Sequence, residues 1–332
     1  MDILRRIGAF AHGHFALLCI VFLLLGVLVG EPVAKLSPAV PWLMSVLMFS
    51  SGLGLRLQDL HSLREKPWML PVILVMLHGL IPLMSLGMST FLGYPLDVVM
   101  GLALLAMIPV SATSLVWIAI HRGNVTLAMA FVLVDTILAP FIIPYALDFL
   151  FGADVHMDPF AMLRGLFWML FFPTVLAITC NRVSCGALQR VAGAKLAFLA
   201  KLAVYGILII NGGIVSPLFH DFDMLFFLIF GTVFSYCAFW FVFTFAIGLL
   251  LFTDKEDVLA FMLVASIRGT NSGMVIATTY FSPLTTLTVV FNMLFQQPLG
   301  AWLGKHAARY LDKREERRKL KGSEQPPMPG ES

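Results

Sequence analysis

Ten apolar runs set the terms on which this chain can fold. They cover residues 14–30, 38–55, 68–92, 97–121, 124–151, 160–180, 196–217, 223–252, 256–280 and 283–304. A bilayer-crossing helix needs about 20 mainly apolar residues, and only helices and closed barrels satisfy every backbone polar group in hydrocarbon. The sequence lacks the short alternating strands of a barrel. The expected fold is an all-α polytopic membrane protein with ten transmembrane helices and the lipid bilayer as its surroundings. Composition supports this: 12% of residues are charged, against roughly 25% in soluble domains. That balance argues against a soluble enzyme, a disordered regulator or a nucleic-acid partner. The first run follows Asp2, Arg5 and Arg6 with no small-residue cleavage site, so it reads as a retained helix. The four cysteines (Cys19, Cys180, Cys185 and Cys237) form no CxxC pair or metal-ligand spacing and read as free thiols.

Basic residues orient the spans. With a cytoplasmic N-terminus, 19 of the 22 Lys and Arg residues fall on the inner side, among them Arg56, Arg64, Lys66 and the cluster in 305–332. Only Lys35 and Arg164 fall outside, and Arg268 lies within a run. Asp154, Asp158, Asp221 and Asp223 fall in outer loops. This asymmetry predicts both termini inside. The tail from Lys305 reads as a charged helix end running into disorder.

Ten spans divide into residues 1–151 and 152–304, five spans each. An odd number per half turns one half over, giving the inverted repeats common among transporters. Corresponding spans then invite comparison. The fourth contains Pro109-Val110-Ser111-Ala112-Thr113-Ser114, and the ninth contains Ser266-Ile267-Arg268-Gly269-Thr270-Asn271-Ser272-Gly273. Proline and glycine break helices. Such breaks are tolerated at membrane depth where they are buried in protein or line a cavity. The expectation is two discontinuous helices crossing near the midplane, their ends offering N–H donors to an anion and carbonyls to a cation.

Charge inside a span is costly and marks function or a partner. Arg268 and Asp135 both lie deep in their runs and are expected to face one cavity. They form a structural ion pair, a substrate-anion site or a coupling pair. His78 lies in the middle of the third run, a residue type that changes charge near neutral pH. Gln296 and Gln297, preceding Pro298, point in different directions from the last helix. Asp97 sits at a span start.

These features come with a resemblance. Met48-Phe49-Ser50-Ser51-Gly52-Leu53-Gly54-Leu55 with Asp59, then His121-Arg122-Gly123-Asn124-Val125, then Asn271-Ser272-Gly273, resemble in order and spacing three motifs of the bile acid:sodium symporter family. The chain is similar to that family over roughly 14–304. The resemblance implies a core domain in which the fourth and ninth helices cross, and a panel built from the first, second, sixth and seventh. It further implies alternating access with substrate beside the crossing.

The resemblance also implies where the site lies. Substrate contacts are expected from Ala112, Thr113, Ser114, Arg268, Thr270, Asn271, Gln296 and Gln297. The family's sodium positions are degenerate. Ser114, Ser266 and Thr270 keep a hydroxyl, Ser266 where the family has glutamate and Thr270 where it has glutamine. Leu77, Leu115, Ala128 and Val132 offer no side-chain oxygen, and Arg268 stands where glycine is usual. A sodium ion would be repelled by that guanidinium. The expected function is therefore secondary active transport of a small organic anion, independent of the usual sodium sites, without cofactor. Asp135, Arg268 and His78 are the candidate coupling groups. The alternatives are a sodium symporter with non-standard ligands, and a channel or receptor-like membrane protein. An enzyme lacks support, as no HExxH or GxSxG context occurs. A bacterial inner membrane and a monomer complete the expectation.

Overall fold

Backbone polar groups that cannot reach water must bond within their own segment, and the helix is the local solution. In the computed structural model, residues 15–55, 57–61, 67–152, 158–219 and 224–323 are described, and they are helical almost throughout. Arg5, Arg6, Arg56, Arg64, Lys66, Asp154, Asp221, Asp223 and residues 324–332 lie outside the described residues, as does the side chain of Asp59.

The helices are α1 (Phe15–Val29), α2 (Val40–Gly52), α3 (69–91), α4 (Leu96–Met107), α5 (Thr113–Ile120) and α6 (Val125–Phe151). They continue with α7 (Pro159–Val183), α8 (Ala187–Val215), α9 (Met224–Leu251), α10 (Lys255–Ser266), α11 (Thr270–Tyr280) and α12 (Pro283–Ser323). Helix occupies each of the ten apolar runs. Five segments, in α3, α6, α7, α8 and α9, are individually long and apolar enough to cross a membrane. The chain is a polytopic membrane protein.

Two helices carry a π-turn, α3 at Met76–Leu80 and α7 at Phe167–Phe171. Each precedes a proline, Pro82 and Pro173, which has no N–H and whose ring crowds the turn before it. Packing falls into two groups. In one, α1 and α2 lie against α8, and α2 against α7; in the other, α9, α10 and α12 pack together and α3 lies against α4. Close approach in the first group rests on Gly26 and Gly212: a Cβ on Gly26 would fall 2.1 Å from the Ile209 carbonyl oxygen.

The charged start of the tail is helical. α12 continues unbroken through Lys305 to Ser323. The stretch KREERRKLK consists of strong helix formers with opposite charges three and four apart. It is also fastened, since Lys255 reaches Asp312 at 3.1 Å and Glu315 at 2.9 Å. The described cysteines are all free thiols.

Candidate functional site

The two breaks meet. α4 ends where Ile108, ahead of Pro109, turns extended, and α10 ends where Ile267 does the same, the conformation proline imposes on the residue before it in the first case. The freed backbone groups then pair across the gap. Val110 and Arg268 form an isolated antiparallel bridge. Ser111 N donates to the Ile267 carbonyl at 3.1 Å, and Gly269 N to the Pro109 carbonyl at 2.7 Å.

Side chains complete the crossing. Asp135 on α6 is 1% exposed. Its Oδ2 accepts from Val110 N at 2.6 Å, and its Oδ1 lies 2.6 Å from His78 Nε2. His78 and Leu77 sit on the π-turn of α3. Arg268, 6% exposed, aims at backbone: its Nη2 donates to the Ala106 carbonyl and, at 3.4 Å, to that of Leu77. Arg268 Nε and Nη1 have no protein partner. The Arg268 carbonyl accepts from Gln296 Nε2 at 2.8 Å and from Thr270 N at 2.9 Å.

The direct pairing expected between Arg268 and Asp135 is therefore not made. Asp135 pairs with His78, and Arg268 donates to carbonyls that the helix break and the π-turn present. The two charges still attract across the crossing. The guanidinium is lodged among backbone carbonyls.

The other expected contacts divide into open and buried residues. Ala112 and Thr113 are exposed at the start of α5, and Asn271 is half-buried in the first turn of α11. Gln297 Nε2 donates to Thr113 Oγ1 at 3.2 Å, while Trp117 Nε1 donates to Gln297 Oε1 at 2.7 Å. Gln296 faces the other way, buried against Asn292. Ser114 is fully buried and its hydroxyl has no partner. Ser266 is tied to the Thr244 hydroxyl at 2.7 Å, and Thr270 is buried beside Gln296. Among the described residues, no group of three His, Cys, Asp or Glu is placed to hold a metal.

Sequence reasoning missed Trp117, Thr244 and the Leu77 and Ala106 carbonyls. None carries a charge or a motif that would have flagged it. Two of the motifs make structural bonds. In His121-Arg122-Gly123-Asn124, Gly123 N closes the end of α5 on the Ile118 carbonyl at 2.8 Å. Asn124 caps α6 through Leu127 N at 3.0 Å and reaches Asp257 on α10 at 2.8 Å. A Cβ on Gly123 would fall 2.9 Å from Ile118 Cγ2 and 3.2 Å from Leu259 Cβ, so the turn docks tightly on α10. At the first motif, Asn181 Nδ2 caps the Leu53 carbonyl at 3.1 Å.

Comparison with known proteins gives the family. The sodium bile acid symporter family matches the chain over residues 41–218. The protein YbaS of Bacillus subtilis, described as uncharacterized, is 33% identical over 293 residues, covering 86% of this chain and 94% of YbaS. The uncharacterized sodium-dependent transporter YocS of the same organism is 24% identical over 315 residues, 95% of this chain and 97% of YocS. A probable chloroplastic sodium/metabolite cotransporter, BASS1 of rice, is 26% identical over 148 residues, 45% of this chain and 36% of BASS1.

Proposed function

The chain belongs to the sodium bile acid symporter family, a family of secondary transporters and not of enzymes, and from that premise we propose that it carries a small organic anion by alternating access without the family's sodium ions. One observation carries the reading: the Arg268 guanidinium donates to the Ala106 and Leu77 carbonyls at the crossing. A fixed cation there supplies the positive charge that a bound sodium would bring. Substrate meets the open start of α5 at Thr113 and Gln297, with Asn271 in the first turn of α11.

In this reading the ten helical runs are ten spans in two inverted repeats, 1–151 and 152–304, with residues 305–332 as a cytoplasmic tail. The group of α1, α2, α7 and α8 is the panel, and the group around the crossing is the core. The basic asymmetry sets both termini in the cytoplasm of a bacterial cell. The protein acts as a monomer.

Coupling falls to His78 and Asp135. Asp135 holds the Val110 N–H of the crossing, and a carboxylate accepts that bond more strongly than a carboxylic acid does. A proton taken up by the pair is therefore felt by the backbone joining the two breaks.

A second reading has support of its own. Ser114 keeps a buried hydroxyl with no partner, and one relative is named sodium-dependent. Proteoliposomes separate the two. Uptake of small carboxylates driven by an inward proton gradient, unchanged when sodium replaces potassium, is the expected result. A saturable, sodium-selective rise in uptake and in melting temperature overturns the first reading in favour of the second.

A further inference from the structure

The last helix changes character as it leaves the apolar run. Through Gly304 α12 is mainly apolar, and the stretch KHAARYLDKREER that follows is rich in charge. Its charges are sorted by side. Asp312 and Glu315 turn toward α10, where both hold Lys255, and Ala307 and Leu311 are buried. Lys305, Arg309 and Lys313 repeat every four residues and therefore share one face of the helix. All three are exposed. Among the described residues, none of the three forms an ion pair with a carboxylate. Glu316 falls on the same face and is offset by Arg317, next in the chain, so the face stays positive.

An aromatic residue marks where this face meets the bilayer. Trp302 lies on the same face, one turn before Lys305, and is 59% exposed. His306 fixes it from behind: the two rings lie 4.4 Å apart, and His306 Nδ1 donates to the Trp302 carbonyl at 2.7 Å. Tryptophan concentrates at the boundary between hydrocarbon and water. With Trp302 at that level, the helical rise puts Lys305 about 4–5 Å farther out, Arg309 about 10 Å and Lys313 about 16 Å. The headgroup layer is about 5–8 Å thick on each side. Lys305 therefore falls within it, and Arg309 falls at its outer edge with a flexible stem that reaches back. Lys313 stays within about one Debye length, roughly 8 Å, of that edge. A basic cluster directly beyond a span attracts anionic lipid; here the acids of the same stretch are drawn aside by Lys255, which leaves the cluster unopposed at headgroup level.

We propose that this face of α12 binds anionic phospholipid of the leaflet through which the helix leaves the membrane. Lys305 and Arg309 hold the headgroup phosphate, Trp302 packs at the glycerol level, and Lys313 adds attraction from farther out. The lipid sits on the outside of the helix, away from the crossing, and is not the transported anion. The inference rests on the reading of α12 as a span and is independent of which anion is carried and which ion drives it.

The test uses the full-length protein in vesicles of equal parts phosphatidylcholine and phosphatidylglycerol. The acyl chains of one lipid or the other are brominated near the glycerol, because bromine quenches tryptophan fluorescence at contact. The difference between the parent and Trp302→Phe isolates the Trp302 signal. Trp302 should prefer brominated phosphatidylglycerol by about fivefold or more, the worth of one basic residue near an anionic surface. In the triple variant Lys305→Gln, Arg309→Gln, Lys313→Gln the preference should fall to parity. Its changed residues are exposed and leave the Lys255 clamp intact, so its melting temperature should match the parent. Equal quenching by the two lipids in the parent, or a preference that survives in the triple variant, overturns the lipid site while keeping α12 as a span. Absence of Trp302 quenching by either lipid overturns the span reading together with the site. Neither result bears on the uptake experiment, which judges the transport reading separately.

Discussion

Replacing Asp135 with asparagine and with alanine weighs the two things it does, holding backbone and carrying charge. Its carboxylate makes two hydrogen bonds, each 2.6 Å long, to Val110 N and to His78 Nε2. Asparagine keeps the shape. Its amide oxygen still accepts from Val110 N, and its NH₂ donates to His78 Nε2. What is lost is charge assistance in two bonds, about 1 kcal/mol each, so Asp135→Asn should cost about 2 kcal/mol. Alanine removes both bonds, leaves Val110 N–H without an acceptor in the core and opens a cavity, at about 3–5 kcal/mol. Thermal unfolding in detergent ranks the two, and hydrogen exchange at Val110 localises the effect. That amide should be protected in the parent protein and in Asp135→Asn, and fast in Asp135→Ala. Asp135→Asn should also be a folded protein whose uptake no longer responds to a proton gradient. If the alanine variant unfolds within about 1 kcal/mol of the parent, or Val110 stays protected in it, Asp135 does not hold the crossing.

Three further outcomes follow from the packing. Gly26→Ala should destabilise by about 1–3 kcal/mol or more, because its Cβ meets the Ile209 carbonyl at 2.1 Å; Gly231→Ala, with nothing within 4 Å, should be neutral or stabilising in the same melt. Asn124→Ala should cost about 1 kcal/mol for the lost helix cap and speed proteolysis at the turn between α5 and α6, while Asn124→Asp should keep the cap but be repelled by Asp257. Glu315 and Asp312 hold the Lys255 ammonium above the usual lysine value of 10.5. Its contribution is complete below pH 10.5 and is lost as pH rises through the raised value, so the melting difference between the parent and Lys255→Gln should vanish in strong alkali.

The breaks were legible because proline and glycine act locally. Pro109 and Gly269 remove a donor or loosen the chain wherever they stand, and nothing distant is needed to foresee that the helix stops. The cost of buried charge likewise drew attention to His78, Asp135 and Arg268 before any geometry was known. The partners were another matter. His78 and Asp135 lie 57 residues apart, and no periodicity relates them. Opposite charge alone suggested that Arg268 would take Asp135. The deciding acceptors, the carbonyls of Leu77 and Ala106, are identical in every residue and become available only where a π-turn or a helix end exposes them. For the same reason Gln296 and Gln297 could be separated by direction but not assigned, one to the buried backbone of Arg268 and the other to Trp117 at the surface. The charged helix end of α12 was legible from its composition, while the clamp from Lys255 to Asp312 and Glu315 was invisible in one dimension.

The antiparallel bridge at Val110 and Arg268 has an evolutionary consequence. The junction between the two halves is fastened by N–H and C=O groups, which every residue but proline carries in full. Side chains around that junction, other than Asp135, can thus be exchanged while the main-chain bridge keeps its pairing. Arg268 and Ser266, which by the resemblance stand where glycine and glutamate are usual, lie on that bridge and at the end of α10 without breaking it. On the reading proposed above, the coupling ion is then a replaceable part, mounted on a main-chain joint.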